Sequence, residues 1–189
     1  LVVSGDHGIP GISRGKCNLY DLCTQVPLAI RWPQGINGHS RVVDDLISLP
    51  ELAPTFLEAA GVDKPSTMIA KSLTNIFRSG ASGQVDPSRA AIFTGRERHV
   101  AGARTGFLPY PQRAIRTPQY LYIINFEPNR WPMGTGPGFG LIDSDIPDYK
   151  ALQENTFADV GDLHATPTKA WSIAHHVEYP DFFQYAVGR

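Results

Sequence analysis

Long apolar runs are missing from this sequence. No stretch approaches the roughly 20 residues that a membrane-crossing helix needs. Charge of one sign is missing too: 17 basic and 18 acidic residues leave a net charge of −1. Nothing in that balance suggests nucleic acid or an anionic membrane as the general partner. Cysteine is scarce. Cys17 and Cys23 are the two present, and their spacing is compatible with a disulfide or with two reduced thiols. They form no C-x-x-C motif, and a zinc site would need further ligands that the neighbouring sequence lacks. A basic leader is absent from LVVSGDHG, so these residues are not a signal peptide, and the chain is expected to be a piece of a longer one.

What is present is ordinary for a soluble globular protein: 42% hydrophobic and 19% charged residues. The 189 residues suffice for a real core. Sixteen prolines and 18 glycines predict many loops. No internal repeat is visible.

LVVSGDHG reads as the end of a buried strand that breaks into a loop. VPLAIRWP (26–33), bounded by two prolines, reads as another strand of the same sheet. Ser48 and Glu51 have capping-box spacing. Behind them Leu52, Phe56, Leu57 and Ala60 share one helical face, Pro54 sets the start near Leu52, and Gly61 is a natural stop. A short helix is expected over 71–78. RAAIFTGRERH (89–99) is strand-like to Thr94 and then turns cationic. Strands are expected over 113–117 and 120–126, separated by Pro118. Residues 131–148 read as a long Gly/Pro loop. Thr166 and Pro167 have N-cap and first-turn character for a helix carrying Trp171, Ala174 and His175. The texture changes from α/β to hairpin near residue 105.

Four constellations carry chemistry. Asp6 and His7 stand at a strand's carboxyl end, where open α/β sheets build their sites. Asp oxygen suits Ca²⁺ or Mg²⁺, whereas imidazole suits softer metals or donates to an anion. Metal binding and simple loop capping are equal alternatives there. Lys16 follows ten residues later; beside a metal, an ammonium can neutralise a tetrahedral oxyanion, and the bland alternative is a solvated lysine. V-D-P-S-R (85–89) reads as a Pro-initiated turn before a strand. Gly95, Arg96, Glu97, Arg98 and His99 form either a solvated loop or an anionic-substrate loop.

In this order, DHG, Lys16, LYD (19–21), VPLAIRWP, ELAPTFLEAAGV (51–62) and KSL (71–73) resemble the C-terminal half of a type I sulfatase, in the alkaline-phosphatase-like superfamily. DHGIP, the Leu-Tyr pair and YPQRAIR…YLYIINF are similar to the heparan N-sulfatase (sulfamidase) branch. The resemblance implies an α/β fold: the C-terminal part of the large catalytic domain over 1–105, then a smaller, incomplete α+β domain with an antiparallel sheet over 106–189. It implies sulfate-ester or sulfamate hydrolysis on a sulfated carbohydrate such as N-sulfoglucosamine. Asp6 and His7 would close a divalent cation site, calcium by resemblance, with His7 either a ligand or a sulfate hydrogen-bond donor. Lys16 would contact the sulfate; the sulfamidase branch often carries Arg there. His99 would lie in the substrate pocket, with Glu97 and Arg98 as sugar contacts.

The family's nucleophile is a formylglycine made from the first residue of C/S-x-P-S-R. Here Val85 holds that place and has no heteroatom to oxidise, so the match is a coincidence, and formylglycine is expected in an upstream part. The 189 residues alone are expected not to turn over. Their parallel strands would lack sheet neighbours, which the rest of a longer protein or a homo-oligomer would cover. A periplasmic, secreted or lysosomal compartment follows from the resemblance, with no nucleic-acid partner and no membrane segment. Two other readings stand beside this one: a phosphonate or phosphate ester hydrolase of the same superfamily, and a non-catalytic glycan-binding fragment.

Overall fold

The computed structural model describes residues 1–136 and 145–187. Of the expected Gly/Pro loop over 131–148, residues 137–144 lie outside the described residues. The chain is a mix of short helices and two small sheets. The first sheet pairs β1 (Val2–Ser4) with β2 (Leu28–Ile30). The second has the order β3 (Ile92–Arg96), β4 (Gln112–Arg116), β5 (Leu121–Asn125). The helices are α1 (Asp21–Thr24), α2 (Leu52–Ala59), α3 (Thr74–Ser79), α4 (Tyr149–Glu154), α5 (Pro167–Ala174) and α6 (Pro180–Ala186).

The two N-terminal strands pair as expected, but not as buried parallel strands. Gly5 N bonds Pro27 O and Arg31 N bonds Leu1 O, a pairing that runs in opposite directions. Val3 is 59% exposed, so the buried strand expected here is open on one face. In the second sheet, Tyr110 N bonds Glu97 O and Phe126 N bonds Pro111 O. Both adjacent pairs are therefore antiparallel, as the hairpin texture around Pro118 implied.

Two compact units divide the chain. One holds Leu1–Val3, Leu28–Phe93 and Ile115–Leu121, the other Ser4–Pro27, Thr94–Ala114 and Tyr122–Arg189. The first unit has its core on Leu73, Ile76 and Phe77 of and before α3, with Ile30, Trp32, Val43 and Leu52 against them. Ser48 N donates to Glu51 Oε2 at 2.8 Å, so the expected capping box closes. The helical face differs from expectation: Phe56 is exposed, and Pro54 and Thr55 are buried instead. The reason is a polar tie, since Thr55 Oγ1 donates to Glu51 O and accepts from Leu73 N. Gly61 ends the turn at φ 68°, a conformation in which a Cβ would be strained.

V-D-P-S-R belongs to this unit and is a structural turn. Asp86 Oδ1 accepts from Ser88 N and Oγ. Asp45 accepts from the backbone N–H groups of Val85 and Asp86, both at 2.7 Å. Arg89 is buried and pairs with Glu51 Oε1 at 2.6 Å.

The second unit has its core between α4, α5 and α6: Leu152, Val160, Leu163, Ala170, Ile173, Phe183 and Val187. Thr166 caps α5 through Lys169 N at 3.1 Å, with Pro167 in the first turn, as the sequence implied. The face of α5 that turns inward carries Lys169, Ala170 and Ile173, while Trp171 stacks on His175. All the sequence-derived site residues lie within this unit.

Candidate functional site

The loop over residues 5–16 folds back on itself because its glycines permit close backbone approach. A Cβ on Gly8 would stand 1.7 Å from Leu22 O and 2.5 Å from Gly15 O. Any side chain there would force the loop open. Arg14 and Cys17, on either side of Lys16, both hold φ near 61°. That conformation costs an L-residue roughly 1–2 kcal/mol, and such residues gather at functional sites.

His7 is oriented by its own loop. Nδ1 donates to Gly8 O at 2.7 Å, because a carbonyl only accepts. Nε2 is the ring nitrogen left over, and it lies 3.8 Å from Asp6 Oδ1. A carbonyl holding the second ring nitrogen is the common outer support of a metal-bound histidine. Asp6, 91% exposed in its side chain, leaves its carboxylate open. The donor set of this pair, one carboxylate oxygen and one imidazole nitrogen, is of a kind that a divalent cation accepts.

His99 lies at the end of the cationic run after β3 and faces two groups through one nitrogen. Nδ1 is 3.1 Å from Asp162 Oδ1 and 3.0 Å from Cys17 Sγ. Asp162 is buried and also binds Arg96 and Arg104, the latter at 2.9 Å. Burial pushes the Asp162 carboxyl up, but the His99 hydrogen bond and the two guanidinium charges outweigh it and hold it below its ordinary value. The carboxylate is thus ionised and accepts Nδ1–H, which leaves His99 Nε2 for a ligand. Burial, with Asp162 adding to it, pushes the Cys17 thiol up to about 12.

Cys17, His99 and Asp162 place ligand-type atoms within 4.8 Å of one another. The partners that the neighbouring sequence did not offer to Cys17 are therefore brought by tertiary structure. Charge argues against a cation here: one carboxylate already faces two arginines, and the thiol holds its proton.

His164 stacks on His99 with ring centroids 6.4 Å apart. Burial lowers the His164 imidazole below its usual range, and the charges of Lys16, His99 and His7 lower it further. His99 and His164 thus stand beside the Lys16–Cys17 segment, since Cys17 Sγ is 3.0 Å from His99 Nδ1. Cys17 and Cys23 are free thiols.

Glu97 and Arg98 are engaged elsewhere. Glu97 pairs with Arg113. Arg98 Nε donates to Phe107 O at 3.0 Å, and its guanidinium lies 5.0 Å from the Phe107 ring centroid. Sequence reasoning placed Arg96 in the cationic run but missed Asp162, His164 and Arg104. The one signal available was the D-x-H spacing of Asp162 and His164, in a stretch with no periodicity to give it weight.

The profile of the family described as N-sulphoglucosamine sulphohydrolase, C-terminal, matches residues 11–95. An ulvan-active sulfatase of Formosa agariphila is 27% identical over 95% of this chain and 34% of its own length. The human N-sulphoglucosamine sulphohydrolase is 28% identical over 67% of this chain and 25% of its own. The chain thus spans about a third or less of these relatives. The solved structure of BT4656 in complex with its substrate, D-glucosamine-2-N,6-O-disulfate, is 21% identical over 58% of this chain and 23% of that one, with a TM-score of 0.44.

Proposed function

The chain is a sulfatase-type sequence related to the C-terminal part of the sulfamidase branch, and from that premise we propose that it supplies one wall of a sulfate-binding active site. The whole protein would hydrolyse sulfate esters or sulfamates on a sulfated carbohydrate such as N-sulfoglucosamine. The observation that carries this reading is that His99, stacked on His164, lies against Cys17, the chain neighbour of Lys16, and is held by a buried carboxylate that Arg96 and Arg104 already neutralise.

Lys16 would place its ammonium against a sulfate oxygen. His99, with Nδ1–H held by Asp162, would turn Nε2 to the same group and, in its doubly protonated form, donate to it. Fixed donors of this kind act without reorganising as charge develops. Asp6 Oδ1 and His7 Nε2 would hold a divalent cation, calcium by resemblance, which when bound polarises a sulfate oxygen. Glu97 and Arg98, exposed beside β3, would be outer sugar contacts. No Cys or Ser opens a C/S-x-P-S-R motif in these 189 residues, so we expect no turnover from them alone, and formylglycine chemistry would come from elsewhere in a longer protein. No helix among the described residues is long and apolar enough to cross a membrane; a periplasmic, secreted or lysosomal setting remains part of the proposal.

Calorimetric titration tests the reading. N-sulfoglucosamine should bind the full chain in calcium, and Lys16→Ala should weaken it by about ten-fold or more, the loss expected when one charge-assisted contact is removed. Equal binding of N-sulfoglucosamine and glucosamine 6-phosphate would favour a phosphate ester hydrolase instead. Binding that ignores a chelator would favour a non-catalytic glycan module.

A further inference from the structure

A cavity of about 270 Å³ opens in the second unit, lined by Arg14, Asn18, Tyr20, Tyr110, Gln112 and Tyr185 among others. Arg14 and Asn18 stand two residues either side of Lys16, and Asn18 Nδ2 donates to Lys16 O at 3.0 Å. Tyr110 is shared with the anion site: the guanidinium groups of Arg96 and Arg104, which bind Asp162, lie 5.4 and 4.9 Å from its ring centroid. The cavity therefore adjoins the sulfate wall. We propose that it is a subsite for a second, hydroxylated sugar ring of a glycan, next to the sulfated one; this rests on the sulfated-carbohydrate reading above for its place in the substrate.

Three features of the lining select a sugar. Gln112 is 3% exposed; its Nε2 donates to Asn125 Oδ1 at 2.5 Å, and its Oε1 has no partner. A buried acceptor without a donor costs roughly 1–3 kcal/mol, so this oxygen calls for an O–H or N–H. The Arg14 guanidinium lies 4.4 Å from the Tyr20 ring centroid and 3.9 Å from that of Tyr185. The guanidinium thus packs against two aromatic rings, which accept no N–H···O bond and leave its N–H groups to donate. The tyrosine rings supply apolar faces with a polar tip. A bare anion would suit Arg14 but repel Gln112 Oε1. An apolar ligand would satisfy neither. A pyranose hydroxyl donates to Gln112 and accepts from Arg14, while the C–H face of the ring lies against tyrosine. The volume is below the usual range of about 300 Å³ upward for drug-sized ligands, which suits a single ring.

The test is ¹⁵N NMR on the full chain with two separate probes, unsulfated methyl N-acetylglucosaminide and inorganic sulfate in calcium. The unsulfated sugar should shift the Gln112 side-chain amide, and Tyr185→Ala should weaken that response by about ten-fold, as loss of one aromatic contact predicts. Tyr185 is 56% exposed, so its removal leaves the core intact. Sulfate should shift the His99 ring and do so equally in Tyr185→Ala. An unmoved Gln112 amide, or the same response in Tyr185→Ala, overturns the subsite. A His99 ring that ignores sulfate overturns the sulfate-wall reading alone, because the sugar response is read independently of it.

Discussion

His99 Nδ1 stands 3.1 Å from Asp162 Oδ1 across 63 residues of sequence, and that contact is what turns a cationic loop into an oriented site. Asp162 is buried with Arg96 and Arg104 on its other oxygen. Removing one member of a buried ion pair leaves the others uncompensated, which costs roughly 3–5 kcal/mol. Asp162→Asn should therefore lower unfolding free energy by about that amount, measured by chemical denaturation. A loss below about 1 kcal/mol would mean that the arginines find other partners.

Cys17 holds its proton to about pH 12 because it is buried beside Asp162. At pH 8 it should carry about a thousand-fold less thiolate than a free cysteine, and alkylation should slow in proportion. Iodoacetamide labelling followed by mass spectrometry reads this directly. Labelling as fast as a free thiol would place Cys17 outside the buried cluster.

Asp159 offers a pH dependence with a defined sign. Burial pushes its carboxyl up to about 6 from 3.8, so the folded chain binds that proton more tightly than the unfolded one. Its contribution to stability is complete below pH 3.8 and is lost as pH rises through about 6. Lys169, lowered by burial from 10.5 to about 8, contributes above pH 10.5 and loses that as pH falls through 8, so it stays constant across the Asp159 window. Thermal melts from pH 4 to 7 should show a smaller decline in Asp159→Asn than in wild type. Identical slopes would contradict the raised carboxyl.

Calcium affinity should depend on the first loop. Asp6→Ala removes the one carboxylate of the Asp6–His7 pair, and the expected loss is ten-fold or more, of the order seen when supporting groups of a metal are removed. Calorimetry with calcium alone checks it. Unchanged affinity in both Asp6→Ala and His7→Ala would move the cation elsewhere.

Local chemistry made much of this chain legible. The capping box of Ser48 and Glu51, the stop at Gly61, the Thr166–Pro167 start of α5 and the strands flanking Pro118 depend on neighbours within a few residues, where backbone hydrogen bonds and fixed φ angles decide the outcome. The order of motifs from DHG to KSL carried the family likeness in the same way. Sequence analysis also singled out His99, which the fold seats against Cys17, the chain neighbour of Lys16. Burial was less legible. Phe56 turned outward because Thr55 had to satisfy both Glu51 O and Leu73 N, a constraint set by a residue 18 positions away. Only the tertiary structure could show that Cys17 meets His99 at 82 residues' separation, that Asp162 is neutralised by Arg96 and Arg104, and that Gln112 buries an oxygen with no partner. Such contacts follow from how the chain closes on itself. No spacing rule records them, because the energy that selects them comes from burying charge and polar atoms together.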